Sequence, residues 1–230
     1  MQRNKKYSIF LLIVLLTFSA SCKKSGGEDG QPTETVTVSE PIVDAGPSPV
    51  TPPPPADNTS SVPTQAETFD VNIKMINFTT TQEAKMLKAV ELIKRLVASE
   101  EFRSRIINHS YNGKRTYVDN GGKTNTQIYQ HILDGNETLK NVKDNEMDVE
   151  VELYYANNTT VGYTYPSSNR IWVNTKYFNT YSIASVAANL MHEWLHKMGY
   201  THASTYSVSR DYSVPYGIGG IVRDLGPKYY

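Results

Sequence analysis

The chain has 230 residues, with 23 basic and 23 acidic side chains and a single cysteine, Cys22. A net charge of zero without a basic patch argues against nucleic acid as a partner. One cysteine excludes a disulfide framework, and the chain beyond Cys22 has no thiol nucleophile.

The first 21 residues are predicted to be a signal peptide. Arg3, Lys5 and Lys6 precede an apolar run from Tyr7 to Phe18, which is too short to span a bilayer comfortably. Small residues then lead into Cys22, and this arrangement resembles a bacterial lipobox, in which the cysteine is lipidated after cleavage. The resemblance implies export to the bacterial cell envelope, with attachment to the outer membrane or cell surface through the N-terminal lipid alone. The alternative is an ordinary secretory signal with an incidental cysteine.

Residues 22–67 are predicted to be a lipid anchor followed by a disordered linker. Nine of the 12 prolines fall between Lys23 and Glu67, together with many serine, threonine and glycine residues. Large apolar residues are nearly absent, so little burial is available to offset the entropy lost on ordering. Proline stiffens such a segment into an extended stalk. The linker's seven acidic and two basic residues argue against contact with anionic lipid.

Residues 68–230 are long enough for one domain with a sizeable core, expected to be a monomer. The alternation over Phe69–Phe78 predicts a strand. Thr80-Thr81-Gln82-Glu83 has the spacing of a capping box and opens a helix to about Ala98. One apolar stripe of this helix comprises Met86, Val90, Ile93 and Val97. A short helix is expected between residues 101 and 117, and a helical turn over residues 126–133.

The strongest strand prediction covers Asp148–Ala156, with one apolar face formed by Val149, Val151, Leu153 and Tyr155. Thr160–Tyr165 and Arg170–Asn174 are expected to form a strand pair around a proline-containing turn. His109 and His131 have no ligand spacing to other residues. They are therefore interpreted as surface or hydrogen-bonded histidines.

Residues 192–202 follow the pattern H-E-x-x-H-x-x-G-x-x-H. On a helix, His192 and His196 lie on one face and can both reach one metal ion. Glu193 lies beside them, where a carboxylate can contact a metal-bound water without being a ligand. Gly199 can end the helix in the left-handed conformation, which brings His202 back as a third ligand. Three imidazoles leave the fourth position open, as in catalytic zinc sites.

The helix that carries this pattern is expected to be capped by Thr180 or Ser182. Its apolar stripe packs it on the sheet and comprises Ile183, Ala187, Leu190, Trp194 and Met198. Asn189 and the metal-binding residues lie on a different face. Only 28 residues follow His202, so a loop and a last helix near residues 218–225 are expected to form a small C-terminal subdomain.

The eleven-residue pattern resembles the signature of the metzincin clan of zinc metallopeptidases. The resemblance implies an α+β, zincin/metzincin-like fold, in which a twisted mixed β-sheet packs on a backing helix and an active-site helix. It also implies a secreted endopeptidase in which His192, His196 and His202 bind Zn²⁺ and Glu193 is the general base. In this fold a strand ahead of the active-site helix forms the upper rim of the cleft. A protein or peptide substrate would add to its open edge as a further strand. A plain hairpin that serves only the core is the alternative.

The metzincin signature is followed by a methionine-containing turn, whereas the last methionine of this chain is Met198. Val214-Pro215-Tyr216 stands where that turn is expected. Proline fixes its own φ and restricts the residue before it, so this segment could form a rigid apolar floor below the metal. The resemblance further implies that the Tyr216 hydroxyl is a catalytic group facing the cleft. The alternative is that Pro215 only starts a helix and Tyr216 is a core residue.

Two other functional classes fit parts of this sequence. One is a surface lipoprotein that binds zinc without turnover and serves in binding or adhesion, for which the missing methionine is the best argument. The other is an immunity or adhesion lipoprotein whose stalk is the main functional device. An inactive descendant would more often lose its glutamate, so the intact Glu193 favours catalysis.

Replacing Cys22 by alanine is expected to move the protein from the membrane fraction to the soluble secreted fraction. The reason is that no other segment is apolar enough to hold the protein on a membrane. Fractionation of cells followed by immunoblotting measures this, with Ser25→Ala as the matched control. Continued membrane association of the Cys22 variant would indicate an uncleaved signal instead.

Overall fold

The computed structural model describes residues 69–230, so the predicted signal peptide, linker and lipidated Cys22 lie outside the described residues. The described part is a mixed α+β structure with a four-stranded mixed sheet and six α-helices, as the sequence predicts at this level. No helix within residues 69–230 is long and apolar enough to cross a membrane.

The elements of residues 69–230 are β1 Asp70–Ile76, α1 Thr80–Val97, α2 Glu100–Ile107, α3 Asn125–Asp134, β2 Glu146–Tyr154, β3 Gly162–Thr164, β4 Arg170–Asn174, α4 Thr175–Phe178, α5 Ile183–Lys197 and α6 Val214–Tyr229. A 3₁₀ helix, Val208–Tyr212, precedes α6. The predicted first strand, the helix ending near Ala98, the short helix after it and the helical turn over residues 126–133 are all present. The strand pair around the proline-containing turn is present as β3 and β4.

The sheet has the strand order β1-β2-β4-β3. Strands β1, β2 and β4 run parallel to one another, while β3 runs antiparallel to β4, pairing Gly162 with Val173 and Thr164 with Ile171. The antiparallel direction follows from the short turn between β3 and β4, since parallel neighbours need a long crossover. Strand β3 is therefore an edge strand, and within residues 69–230 it pairs only with β4.

Strand β2 confirms the predicted alternation, with one correction at its end. Met147, Val149, Val151 and Leu153 are buried. Tyr155, predicted on the same face, follows the strand and is 72% exposed. The chain leaves the sheet there because the buried Asn174 amide donates to the carbonyls of Ala156 and Thr160, at 2.8 and 3.1 Å.

The capping box of helix α1 begins one residue earlier than predicted. Thr79 is the N-cap: its hydroxyl accepts from the Gln82 N–H, and the Gln82 side chain accepts from the Thr79 N–H at 3.0 Å. The prediction used Thr80 and Glu83, which was wrong by one residue because both pairs have the same spacing. The predicted apolar stripe of α1 is confirmed as buried.

Helix α5 is buried on nearly every side rather than along one stripe. Ser182 caps it, accepting from the Ser185 N–H at 3.1 Å, so of the two predicted caps Ser182 is correct.

Helix α6 is longer than the predicted last helix and packs closely on α5. A Cβ at Gly219 would lie 3.2 Å from the Ala188 carbonyl oxygen, and one at Gly226 would lie 2.5 Å from the Ala184 Cβ.

Candidate metal centre

The three predicted ligands converge at the end of α5. The Nε2 atom of His196 lies 3.3 Å from that of His192 and 3.2 Å from that of His202. The Nε2 atoms of His192 and His202 are 3.3 Å apart. Gly199, at φ +88°, ends the helix and allows the chain to return with His202, as its place in the pattern predicts.

The hydrogen bonds of the rings determine which nitrogen carries the proton. The Nδ1 atom of His196 bonds the Tyr200 carbonyl at 2.7 Å, and that of His202 bonds the Ala203 carbonyl at 3.0 Å. The His192 ring bonds the backbone of Pro215, which has only a carbonyl to offer. A carbonyl oxygen only accepts, so in each ring the proton lies away from the cluster and Nε2 presents a lone pair.

This arrangement fits a zinc ion. Three lone pairs within 3.3 Å of one another have no hydrogen between them, an arrangement that a bound cation would stabilise. Tetrahedral zinc with bonds of 2.0–2.1 Å to nitrogen separates its ligand atoms by about 3.3–3.4 Å. The observed triangle of Nε2 atoms has this size.

Burial keeps the three imidazoles neutral, as metal binding requires. It lowers the pKa of His192 well below its ordinary value, lowers that of His196 to about 4, and lowers that of His202 as well. For His192 the neighbouring His196 and His202 act in the same direction. Near neutral pH the ligands therefore need not release protons to bind the metal.

Glu193 is a buried carboxylic acid beside the ligands. Its side chain is 4% exposed, and this burial raises its pKa to about 8, against the opposing charge of Lys197. The first residue of β3 packs on it: a Cβ at Gly162 would lie 3.3 Å from Glu193 Oε1 and 3.1 Å from Asn189 Oδ1. Glycine therefore lets the edge strand approach this closely without a tight contact between a side chain and Glu193 or Asn189.

The segment Val214-Pro215-Tyr216 lies against the histidines. The Tyr216 ring centroid is 4.5 Å from that of His192 and 4.6 Å from that of His202. Pro215 also occupies the first turn of α6, as the alternative interpretation had it. A helix-start role for Pro215 and a position of this segment against the histidines are therefore compatible, because the start of α6 is itself the segment that contacts the histidines.

Tyr216 is also in contact with a buried guanidinium. Arg210 is 2% exposed and lies 4.7 Å from the Tyr216 ring centroid and 5.4 Å from that of Tyr206. The burial of Arg210 was not predicted from the sequence. An arginine in a loop rich in serine and tyrosine is ordinarily exposed, so its neighbours in the chain do not indicate that it is buried.

The other two histidines lie outside the cluster. His131 is hydrogen-bonded, as predicted, to the Tyr200 hydroxyl at 3.0 Å and the Asn136 carbonyl at 3.1 Å. His109 is half-buried and stacks on Tyr117 with 3.8 Å between the ring centroids, and partial burial lowers its pKa to about 4. Neither contributes to the metal site.

A second group of possible ligands in residues 69–230 comprises Asp144, Glu146 and Asp148. The ammonium of Lys140 contacts all three carboxylates, at 2.8 Å from Asp144 and 3.8 Å from Glu146. One ammonium therefore offsets part of the charge of the three carboxylates, and the histidine cluster is the better candidate centre.

No protein-family profile matches the chain, and no curated protein matches it. The function therefore has to be inferred from the residues and their geometry.

His202→Ala is expected to weaken zinc binding about 100-fold or more, because it removes one of three nitrogens that enclose the ion. Isothermal titration with zinc and metal analysis of the purified protein measure this. His131→Gln is the control, since its amide can replace both hydrogen bonds and the ligands stay intact. Full zinc occupancy in the His202 variant would show that His202 is not a ligand.

Proposed function

We propose that the protein is a zinc-dependent endopeptidase of the metzincin type, exported and attached to the bacterial cell envelope through Cys22. The observation that carries the proposal is the triangle of three Nε2 lone pairs with the buried Glu193 beside it. A structural zinc site would use four protein ligands, whereas this cluster offers three. The mixed sheet with an antiparallel edge strand against α5 supports the metzincin-type fold.

In this proposal His192, His196 and His202 hold the metal, and Glu193 moves the proton. Zinc, when bound, supplies Lewis acidity and lowers the pKa of water, so that a nucleophile is available near neutral pH. The Glu193 carboxylate accepts the proton of the attacking water as the oxygen bonds to the substrate carbonyl carbon. It then gives that proton to the amide nitrogen as the carbon–nitrogen bond breaks.

The environment of Glu193 suits this exchange. Burial raises the pKa of its carboxyl to about 8, which is closer to neutral pH than that of an exposed glutamate. A base whose pKa lies near the working pH both accepts and returns a proton readily. The charge of a bound metal ion would lower this pKa again.

Tyr216 is proposed to donate a hydrogen bond from its hydroxyl to the oxyanion that forms on the substrate carbonyl. Its ring lies against the His192 and His202 rings, so the residue borders the metal centre. It is half-buried rather than a fully enclosed core residue. These contacts support the proposed role of Tyr216.

The substrate is proposed to be a protein or peptide in extended form, added to β3 as a further strand. Strand β3 pairs with β4 along one edge, and no strand within residues 69–230 pairs with the other. Backbone hydrogen bonds to that edge would give affinity for many sequences. Because Gly162 packs on Glu193, a peptide paired with β3 would lie beside the proposed base.

Glu193→Gln is expected to leave zinc content and folding unchanged and to lower the rate of peptide hydrolysis by about 10²–10⁴-fold. The reason is that an amide keeps the size of the side chain but cannot carry the proton. Cleavage of a peptide library, followed by mass spectrometry, measures this. Glu152→Gln is the control, since its carboxylate pairs with Arg170 at 2.7 Å, away from the metal centre. Absence of hydrolysis by the unmodified zinc-loaded protein would favour the alternative, a zinc-binding surface lipoprotein without turnover.

Tyr216→Phe is expected to lower kcat by about 100-fold at unchanged zinc content and unchanged melting temperature, because only the proposed oxyanion donor is removed. Steady-state kinetics on the best library substrate measures this. Tyr212→Phe is the control, since Tyr212 lies against His109 and Tyr111. Unaltered kinetics in the Tyr216 variant would make Tyr216 a packing residue.

A further inference from the structure

The last residue of α5 is a buried lysine that points to the sheet. Lys197 follows the ligand His196 directly and is 5% exposed. Its ammonium donates to the Tyr165 carbonyl at 3.1 Å and also to the Ser168 carbonyl. Lysine is rarely buried, because an ammonium without hydrogen-bond partners is costly to remove from water. Here the two carbonyls provide such partners.

Both carbonyls belong to the turn between β3 and β4. Within this turn the Ser168 N–H donates to the Tyr165 carbonyl at 3.2 Å, and the Ser168 hydroxyl accepts from the Arg170 N–H at 3.0 Å. These bonds shape the turn, and the Asn169 carbonyl attaches it to β2 by accepting from the Glu150 N–H at 3.3 Å. The bonds from Lys197 attach it to the active-site helix.

Strand β3 needs such an attachment. It has only three residues and is hydrogen-bonded to one neighbour, so its own ladder holds it weakly. At its start, the Asn174 N–H donates to the Val161 carbonyl at 2.8 Å. At its far end, the turn is tied to α5 by Lys197.

The face of α5 below this hairpin also carries Glu193. Lys197 and Glu193 are four residues apart on α5 and therefore lie on one side of the helix. Gly162, at the start of β3, packs on Glu193. The hairpin thus contacts α5 at two points, one at the proposed base and one at Lys197.

We propose that Lys197 is a positioning residue that holds the edge strand β3 against α5 and thereby sets the affinity for an extended peptide. The structural part of this inference depends only on the contacts of Lys197. The part that concerns the peptide rests on the proposed function. Without the ammonium, the Tyr165 and Ser168 carbonyls lose a buried donor, and β3 separates more often from α5.

Amide hydrogen exchange tests the structural part in the zinc-loaded full-length protein. In Lys197→Met, exchange over residues 162–170 is expected to be about tenfold faster, since buried charged hydrogen bonds are lost. Exchange over β2 and the first turns of α5 should match the unmodified protein, and zinc content should be unchanged. Lys176→Met is the matched control, since Lys176 is exposed and donates to the Asn158 carbonyl at 3.1 Å, outside the hairpin turn.

Lys197→Gln is the second variant, to be used if the methionine variant does not fold. It keeps a polar side chain but shortens its reach, so the same faster exchange is expected. Unchanged exchange over residues 162–170 in a folded variant overturns the proposal, whether or not the protein is a peptidase.

Kinetics tests the part that concerns the peptide. For a substrate long enough to pair with β3, KM is expected to rise about tenfold in the variant, with kcat within about threefold. For a dipeptide-sized substrate, KM should stay within about twofold. The lost charge of Lys197 acts on the pKa of Glu193 and would change kcat for both substrates alike, and a general loss of folded protein would also affect both equally, so a rise in KM confined to the long substrate is the test. Faster exchange with an unchanged KM for the long peptide overturns the positioning role. If the unmodified protein hydrolyses no peptide, the proposed function fails, and the exchange experiment still decides whether Lys197 holds β3.

Discussion

Three imidazole lone pairs meet in a buried site, and much of the described structure serves to hold them there. The Nε2 atoms of His192, His196 and His202 lie 3.2–3.3 Å apart, a distance at which neutral rings repel unless a cation lies between them. Backbone carbonyls fix the proton of each ring on the side away from the cluster. These carbonyls come from two separate segments, residues 200–203 and the start of α6. The metal centre therefore depends on how α6 packs as well as on the motif.

The packing of α6 on α5 explains how one short helix can carry both the ligands and the base. Glycines at positions 219 and 226 let the two helices approach closely, because any side chain there would meet the backbone or Ala184. Helix α5 is consequently enclosed, and His192 and Glu193 are 7% and 4% exposed. Enclosure has an electrostatic result, since it disfavours both the imidazolium and the carboxylate. The same burial that stabilises the fold thus favours the neutral forms of the imidazoles and of the Glu193 carboxyl.

Pro215 shows how one residue can serve the fold and the site together. As a helix-start residue it needs no N–H partner, so it begins α6 without cost. Its carbonyl accepts a hydrogen bond from the His192 ring, and the ring of the next residue, Tyr216, lies against the His192 and His202 rings. A turn without methionine can therefore present a rigid apolar surface to the ligands.

The sequence by itself determined the features that depend on residues close together in the chain. The alternation of β2, the stripe of α1 and the convergence of the three histidines follow from repeats of two to four residues and one glycine. The same local rules misplaced the α1 cap by one residue, because adjacent positions satisfied them equally. They also carried β2 two residues too far, to Ala156 instead of Tyr154.

Only the tertiary structure decided the strand order, the bond from His192 to Pro215, the approach of Gly162 to Glu193 and the burial of Lys197. The last three contacts each join residues more than twenty positions apart, and the strand order joins strands from across residues 70–174. Such contacts are selected by packing of the whole core, which no short window of sequence contains.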